Sequence, residues 1–166
     1  MWVDGATSPA YASGRMWTDR SHQAIVLEVT ARHPVERVFA AWSRPGDLEA
    51  WAWGSLGRDC RADVEFRVGG SFRISTVNKD GTVSAMIGRY TDIVTPERIA
   101  HTLRWEAEMG YEPVEELVDV RLTPQGGGTR IHFEHEGAFG AIARAEHSAG
   151  WNNVLERLLR HLDETP

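Results

Sequence analysis

The chain has 166 residues, 42% hydrophobic and 25% charged, which suits one globular domain large enough to bury a core and enclose a cavity. A formal net charge of -6, with no run of Lys and Arg, argues against a nucleic-acid partner. One cysteine, Cys60, excludes an intrachain disulfide and a thiolate metal cluster, and no stretch approaches the ~20 apolar residues of a membrane span.

The first residues, MWVDGATSPAYASGR, lack a basic start followed by an apolar run, so no secretory signal is expected and the expected location is cytoplasmic. Residues 1–22 are rich in Gly, Ser, Ala and Thr and predict an N-terminal arm without regular structure. Trp2, Tyr11, Met16 and Trp17 are too apolar for a freely solvated tail. The arm is expected to lie on the domain or on a second copy, which leaves a homodimer open.

The folded domain is expected over residues 23–163. Ile25, Leu27 and Val29 alternate, which predicts a strand over 23–32. Pro34 then suits a helix start, and Val35, Val38, Phe39 and Trp42 recur at helical spacing. Pro45 and Gly46 break that helix, and Asp47 to Trp51 predict a short second one.

Strands follow in succession. Val64, Phe66 and Val68 share a face, then Gly69 and Gly70 turn the chain, and Phe72 and Ile74 point inward. Asn78 to Gly81 is a hairpin signal in which Asp80 and Gly81 are expected to supply positive φ angles. A long strand runs through VSAMIGRYTDIV, with a bulge expected at Gly88. Ile99, His101, Leu103 and Trp105 share a face, as do Val118, Val120 and Leu122, and again Ile131, Phe133 and His135. A helix is predicted from Ala141 to Leu162, with Trp151, Val154, Leu155, Leu158 and Leu162 as its apolar stripe.

Consecutive strands with short turns imply an antiparallel meander whose apolar face needs a cover. The last helix is the element long enough to provide it. The predicted class is therefore α+β: a curved antiparallel sheet of six to seven strands around a long C-terminal helix, with two short helices after the first strand.

The segments PVERVFAAWSRPGDLEAWAWG, DVEFRVGGSFR, IGRYTDIVTPERIAHTLRW, GGGTRIHFEHEG and EHSAGWNNVLERLLRHL occur in this order from Pro34 to Leu162, within a stretch of about residues 24 to 162. Together they resemble the START/Bet v-like (SRPBCC) superfamily, and within it the family of homologues of the activator of the heat-shock chaperone ATPase. The resemblance implies a helix-grip fold and an apolar pocket between sheet and helix. It implies no particular activity, because members bind varied apolar molecules and some are enzymes. The family's eponymous co-chaperone carries a separate N-terminal domain for chaperone stimulation, and the arm here is too short to be that domain.

His101 and His135, in phase with apolar neighbours, are the candidate catalytic or anchoring residues, against the alternative of hydrogen-bonded core histidines. His147 and Trp151 lie four apart and share a helix face. Trp51 and Trp53 are expected near one opening of the grip, to stack on a ligand or to pack over the core. Phe66, Phe72, Ile87, Tyr90, Leu103, Trp105, Val120 and Phe133 complete the expected pocket lining. No metal site is expected, since alternation sends His132 and His135 to opposite faces and no HExxH spacing occurs. No cofactor is expected either. The function expected first is binding of a small hydrophobic or amphipathic molecule. The alternatives are an enzyme of the cyclase, dehydratase or hydrolase type using His101 or His135, and a protein-interaction domain such as a chaperone partner.

Overall fold

The computed structural model describes residues 24–106, 115–137 and 141–165. The arm expected over residues 1–22 lies outside them. Strand β1 (Ala24–Ala31) leads into α1 (Val35–Ser43) and α2 (Pro45–Trp51), followed by a 3-10 turn at Gly54–Leu56. Then come β2 (Arg61–Val64), β3 (Ser71–Val77), β4 (Val83–Val94), β5 (Arg98–Trp105), β6 (Glu116–Gln125), β7 (Gly128–Glu136) and α3 (Ala141–Glu164).

The strands form one seven-stranded sheet in the order β1-β7-β6-β5-β4-β3-β2, every neighbouring pair antiparallel. Strands β2 to β7 are a meander, while β1 pairs with β7 at the far edge. The α1–α2 segment therefore carries the chain from one edge of the sheet to the other. Pro45, expected to break the first helix, also begins the second, where its fixed φ is already helical.

The concave face receives α3. Trp151, Leu155, Leu158 and Leu162, spaced by four, three and four residues, are all buried. They join Val38, Phe39 and Trp42 of α1 and Val118, Val120, Ile131 and Phe133 of the sheet in one core. Burial of each large aliphatic side chain contributes about 1.5–3 kcal/mol, so the α3 stripe is a principal part of the fold's stability. Among the described residues, no helix is long and apolar enough to cross a membrane.

Three local expectations need correction. Strand β2 ends at Val64, so Phe66 and Val68 are not part of it; Val68 is 57% exposed. The backbone turns earlier because Arg67 N–H already bonds back to the Glu65 carbonyl. In the 78–81 hairpin Gly81 alone takes a positive φ, at 87°. The bulge of β4 falls between Tyr90 and Asp92, not at Gly88. Gly88 instead serves close approach: a Cβ there would sit 2.0 Å from the Thr102 carbonyl oxygen and 2.7 Å from the Phe72 ring.

Candidate functional site

Period-two alternation brings Met86 and Tyr90 of β4 and Ile99, His101, Leu103 and Trp105 of β5 onto the concave face. Between these side chains, the Trp53–Leu56 segment and α3 lies a cavity of about 410 Å³. Its walls are mostly apolar: Ala52, Trp53, Leu56, Met86, Trp105, Trp151 and Val154. Ser55, Glu146, His147 and Asn153 supply the polar groups, and the exposed Ser55 and Glu146 mark the solvent side. The volume falls within the ~300–1,000 Å³ range of small-molecule sites.

Aromatic rings organise the walls. The Trp53 and Trp105 rings lie 6.0 Å apart, and the Trp105 and His147 rings are stacked at 6.0 Å. Trp53 is held by a 3.3 Å bond from Nε1–H to the Ile74 carbonyl. Asn153 Oδ1 accepts from the Ser55 N–H at 2.8 Å and the Ser55 hydroxyl at 3.0 Å, which ties the 3-10 turn to α3.

Behind Trp151 sits a buried polar chain. His135 is 0% exposed. Its Nδ1 accepts the Trp151 Nε1–H at 2.8 Å, and its Nε2 lies 2.6 Å from Glu116 Oε2. A nitrogen that accepts carries no proton, so the neutral ring holds its proton on Nε2 and donates it to the Glu116 carboxylate. Both ring nitrogens are thus engaged in orienting Trp151. The β6–β7 register, with Val118 opposite His135, places Glu116 diagonally across from the histidine.

A smaller chamber of about 40 Å³ lies deeper, lined by Trp42, Leu48, Trp51, Phe72, Ile74, Tyr90, Ile99, His101 and Leu103. Ala52, Met86 and Trp151 line both spaces. His101 packs edge-on against Phe72 at 4.9 Å and Tyr90 at 6.1 Å. Burial lowers its pKa from 6.5 to about 4, outweighing the backbone bond at Thr102 that raises it, with His135 adding a smaller lowering effect. Its Nδ1–H donates to the Thr102 carbonyl at 2.8 Å, which leaves Nε2 as an acceptor. Burial also pushes the Tyr90 hydroxyl pKa up and the His147 pKa down.

The structure separates the expected site residues into groups. Trp53, Trp105, His147 and Trp151 line the large cavity. Trp51, Phe72, Tyr90, His101 and Leu103 line the inner chamber. Trp51 does not stand at an opening; it is buried, and its Nε1–H bonds the Ala41 carbonyl at 2.9 Å. Val120 and Phe133 are fully buried core residues, with Phe133 packed 4.6 Å from the Trp151 ring. Phe66 wedges between Phe39 and Tyr90. Ile87 lies in a groove on the opposite face with Arg89 and Arg104. Because the bulge comes after Tyr90, Ile87 and Tyr90, three residues apart, keep opposite faces.

Glu116, Met86, Trp42, Gly150 and Asn153 were not expected at the site. Glu116 and Met86 carry a signal in their period-two phase with Val118 and Tyr90. Trp42 belongs to the apolar stripe of α1 but reads there as ordinary core.

Solved structures share this fold. A Chromobacterium violaceum protein is 27% identical, with a TM-score of 0.73 over 85% of this chain and 97% of its own. An Arthrobacter aurescens protein is 24% identical, with a TM-score of 0.71 over 88% of this chain and 89% of its own. A Mesorhizobium loti protein is 23% identical, with a TM-score of 0.70 over 86% and 98%. Among curated proteins none matches the chain. With its helix-grip architecture and a family model spanning residues 32–163, the chain belongs to the Activator of Hsp90 ATPase homolog 1-like protein family.

Proposed function

We propose that this protein binds a small hydrophobic or amphipathic molecule between the sheet and α3. The observation that carries the reading is the cavity of about 410 Å³ with aromatic and aliphatic walls and its polar groups at the solvent side. A cavity of that size costs stability when it has no occupant, because its lining forfeits dispersion contacts. Packing by an apolar molecule offsets that cost, and Ser55, Glu146, His147 and Asn153 are placed to meet a polar end. The net charge of -6 favours a small molecule over a nucleic acid as the occupant, and the free thiol of Cys60 accords with a cytoplasmic location.

The enzyme alternative narrows to one residue. His135 is bonded through both nitrogens, whereas His101 keeps a neutral ring with an accepting Nε2 beside the inner chamber.

Binding is tested by titration with the neutral fluorescent probe N-phenyl-1-naphthylamine, together with native mass spectrometry of protein purified from cells. Gly150 lines the cavity, and a Cβ added there meets no atom of the described residues within 4 Å, so Gly150→Phe should obstruct the cavity with little change to the core. The expected result is saturable one-to-one binding that Gly150→Phe weakens at least about tenfold. Absence of saturable binding by folded protein, or binding indifferent to Gly150→Phe, overturns the reading.

A further inference from the structure

The inner chamber combines apolar walls with three polar side chains, those of Trp42, Tyr90 and His101. Trp42 is 6% exposed, and its buried Nε1–H has no hydrogen-bond partner among the described residues. An indole can only donate, and an unmatched buried donor is costly. His101 presents the opposite need. Its Nδ1–H is used by the Thr102 carbonyl, so Nε2 can only accept, and no partner meets it among the described residues. Tyr90 is also buried and lines the same chamber, and its hydroxyl is able to donate or accept.

A donor, an acceptor and a hydroxyl around one small space define what complements them. A carbonyl oxygen would satisfy Trp42 but present lone pairs to His101. An ionised carboxylate would need a counter-charge, and among the described residues no Lys or Arg lines the chamber. A hydroxyl oxygen accepts from the indole and donates to the imidazole at once. The chamber, about 40 Å³, has room for a group of that size and not for a ring. Met86 lines both spaces and, being unbranched, is the side chain best able to open the way between them.

Resting on the reading of the large cavity as a ligand site, we propose that the inner chamber receives the hydroxyl of an apolar alcohol or phenol whose body fills the outer cavity. Trp42 donates to that oxygen, and His101 accepts from it.

Calorimetric titration of the full chain with para-octylphenol and with its methyl ether tests this. The two ligands differ by the loss of the donor and the addition of one methyl group. The phenol should bind about tenfold tighter than the ether. His101→Leu, which removes the acceptor that only the phenol can use, should bring the two affinities to within about threefold, and Trp42→Phe, which removes the donor to the oxygen, should weaken phenol binding at least about threefold. His101→Phe, which keeps an aromatic ring and removes the acceptor, serves as a further variant if His101→Leu fails to fold, and it should close the gap in the same way. If phenol and ether bind the native protein alike, the chamber holds only a water, and the inference falls while the ligand site stands. A preference that survives loss of the His101 imidazole, or phenol binding indifferent to Trp42→Phe, also overturns it. If neither compound binds, the ligand-site reading fails, and the inference fails with it.

Discussion

The indole N–H of Trp151 on α3 donates to Nδ1 of His135 on β7 across 2.8 Å, inside the core. That bond couples the covering helix to the sheet through a histidine whose other nitrogen is held by Glu116 at 2.6 Å. It sets the tautomer of His135 and fixes which face of Trp151 looks into the cavity.

Breaking this chain in the middle should be costly. His135→Phe removes the donor to a buried Glu116 side chain and the acceptor for a buried indole. A loss of about 3–5 kcal/mol is expected, as for an acidic group left buried without its partner. The double variant His135→Phe with Glu116→Met should recover the part of that loss due to Glu116, because the acid is then replaced by an apolar side chain, while the Trp151 N–H stays unmatched. Urea unfolding of both variants measures the difference. A single variant as stable as the native protein would show that the buried chain contributes nothing net.

Acid stability follows from His101. Its folded pKa is about 4, below the 6.5 of the unfolded chain. Between these values the unfolded state binds more protons, so stability declines as pH falls from about 6.5 towards 4 and is insensitive to this group above that window. His147, also lowered by burial, adds in the same sense. His132, raised by its bond to Glu28, acts oppositely: its contribution is lost as pH rises through its folded pKa. The lowered carboxylates Asp119 and Glu106, paired with Arg98 and Arg73, lose their contribution only at the acid end, as pH falls below their unfolded values of 3.8 and 4.5. Unfolding free energy measured from pH 7 to pH 4.5 should therefore drop in the native chain and drop less in His101→Leu. Equal slopes in the two proteins would refute the assignment.

Much of this arrangement was legible beforehand. The spacing of Trp151, Leu155, Leu158 and Leu162 places α3 against the sheet, and alternation in β5 places His101, Leu103 and Trp105 inward. These patterns are local, and one buried face dictates them. Ile87 was not legible, because Ala85 and Ile87 alternate as plausibly as Met86 and Tyr90, and the outcome depends on a bulge whose position backbone pairing decides. Glu116 is not legible, because an acidic residue in phase with valines reads as surface. It is buried because a histidine two strands' worth of chain away lies diagonally across the sheet, a relation set by register and invisible within either strand alone. The split of the pocket into two spaces depends on Ala52, Met86 and Trp151, which line both from different elements, and side-chain periodicity does not specify how these stand to one another.

The Gly88 position should tolerate no side chain. β4 passes close to β5 there, and a Cβ would come within 2.0 Å of the Thr102 carbonyl oxygen. That contact is with backbone, which cannot step aside without disturbing the β4–β5 pairing, and the Phe72 ring blocks the other direction at 2.7 Å. Gly88→Ala should cost about 3 kcal/mol or more, at the upper end of overpacking effects. Thermal unfolding reads this directly; a variant that melts with the native protein would show that the sheet flexes there.

The opposite outcome is expected at Gly150. This residue lies inside α3, where glycine is less favourable than alanine by roughly 0.5–1 kcal/mol because it loses more backbone freedom on folding. A Cβ there meets nothing of the described residues within 4 Å, so Gly150→Ala should gain that amount without strain, visible as a higher denaturation midpoint with an unchanged slope. The same position lines the large cavity. If the cavity holds a ligand that reaches Gly150, the added methyl narrows the space and weakens binding while stability rises. The two measurements then move in opposite directions, as expected where a helix is kept weaker than it needs to be so that space beside it stays open. A variant that gains stability and binds unchanged would place the ligand elsewhere in the cavity, and one that loses stability would show that the helix is packed more tightly at Gly150 than the open space around it implies.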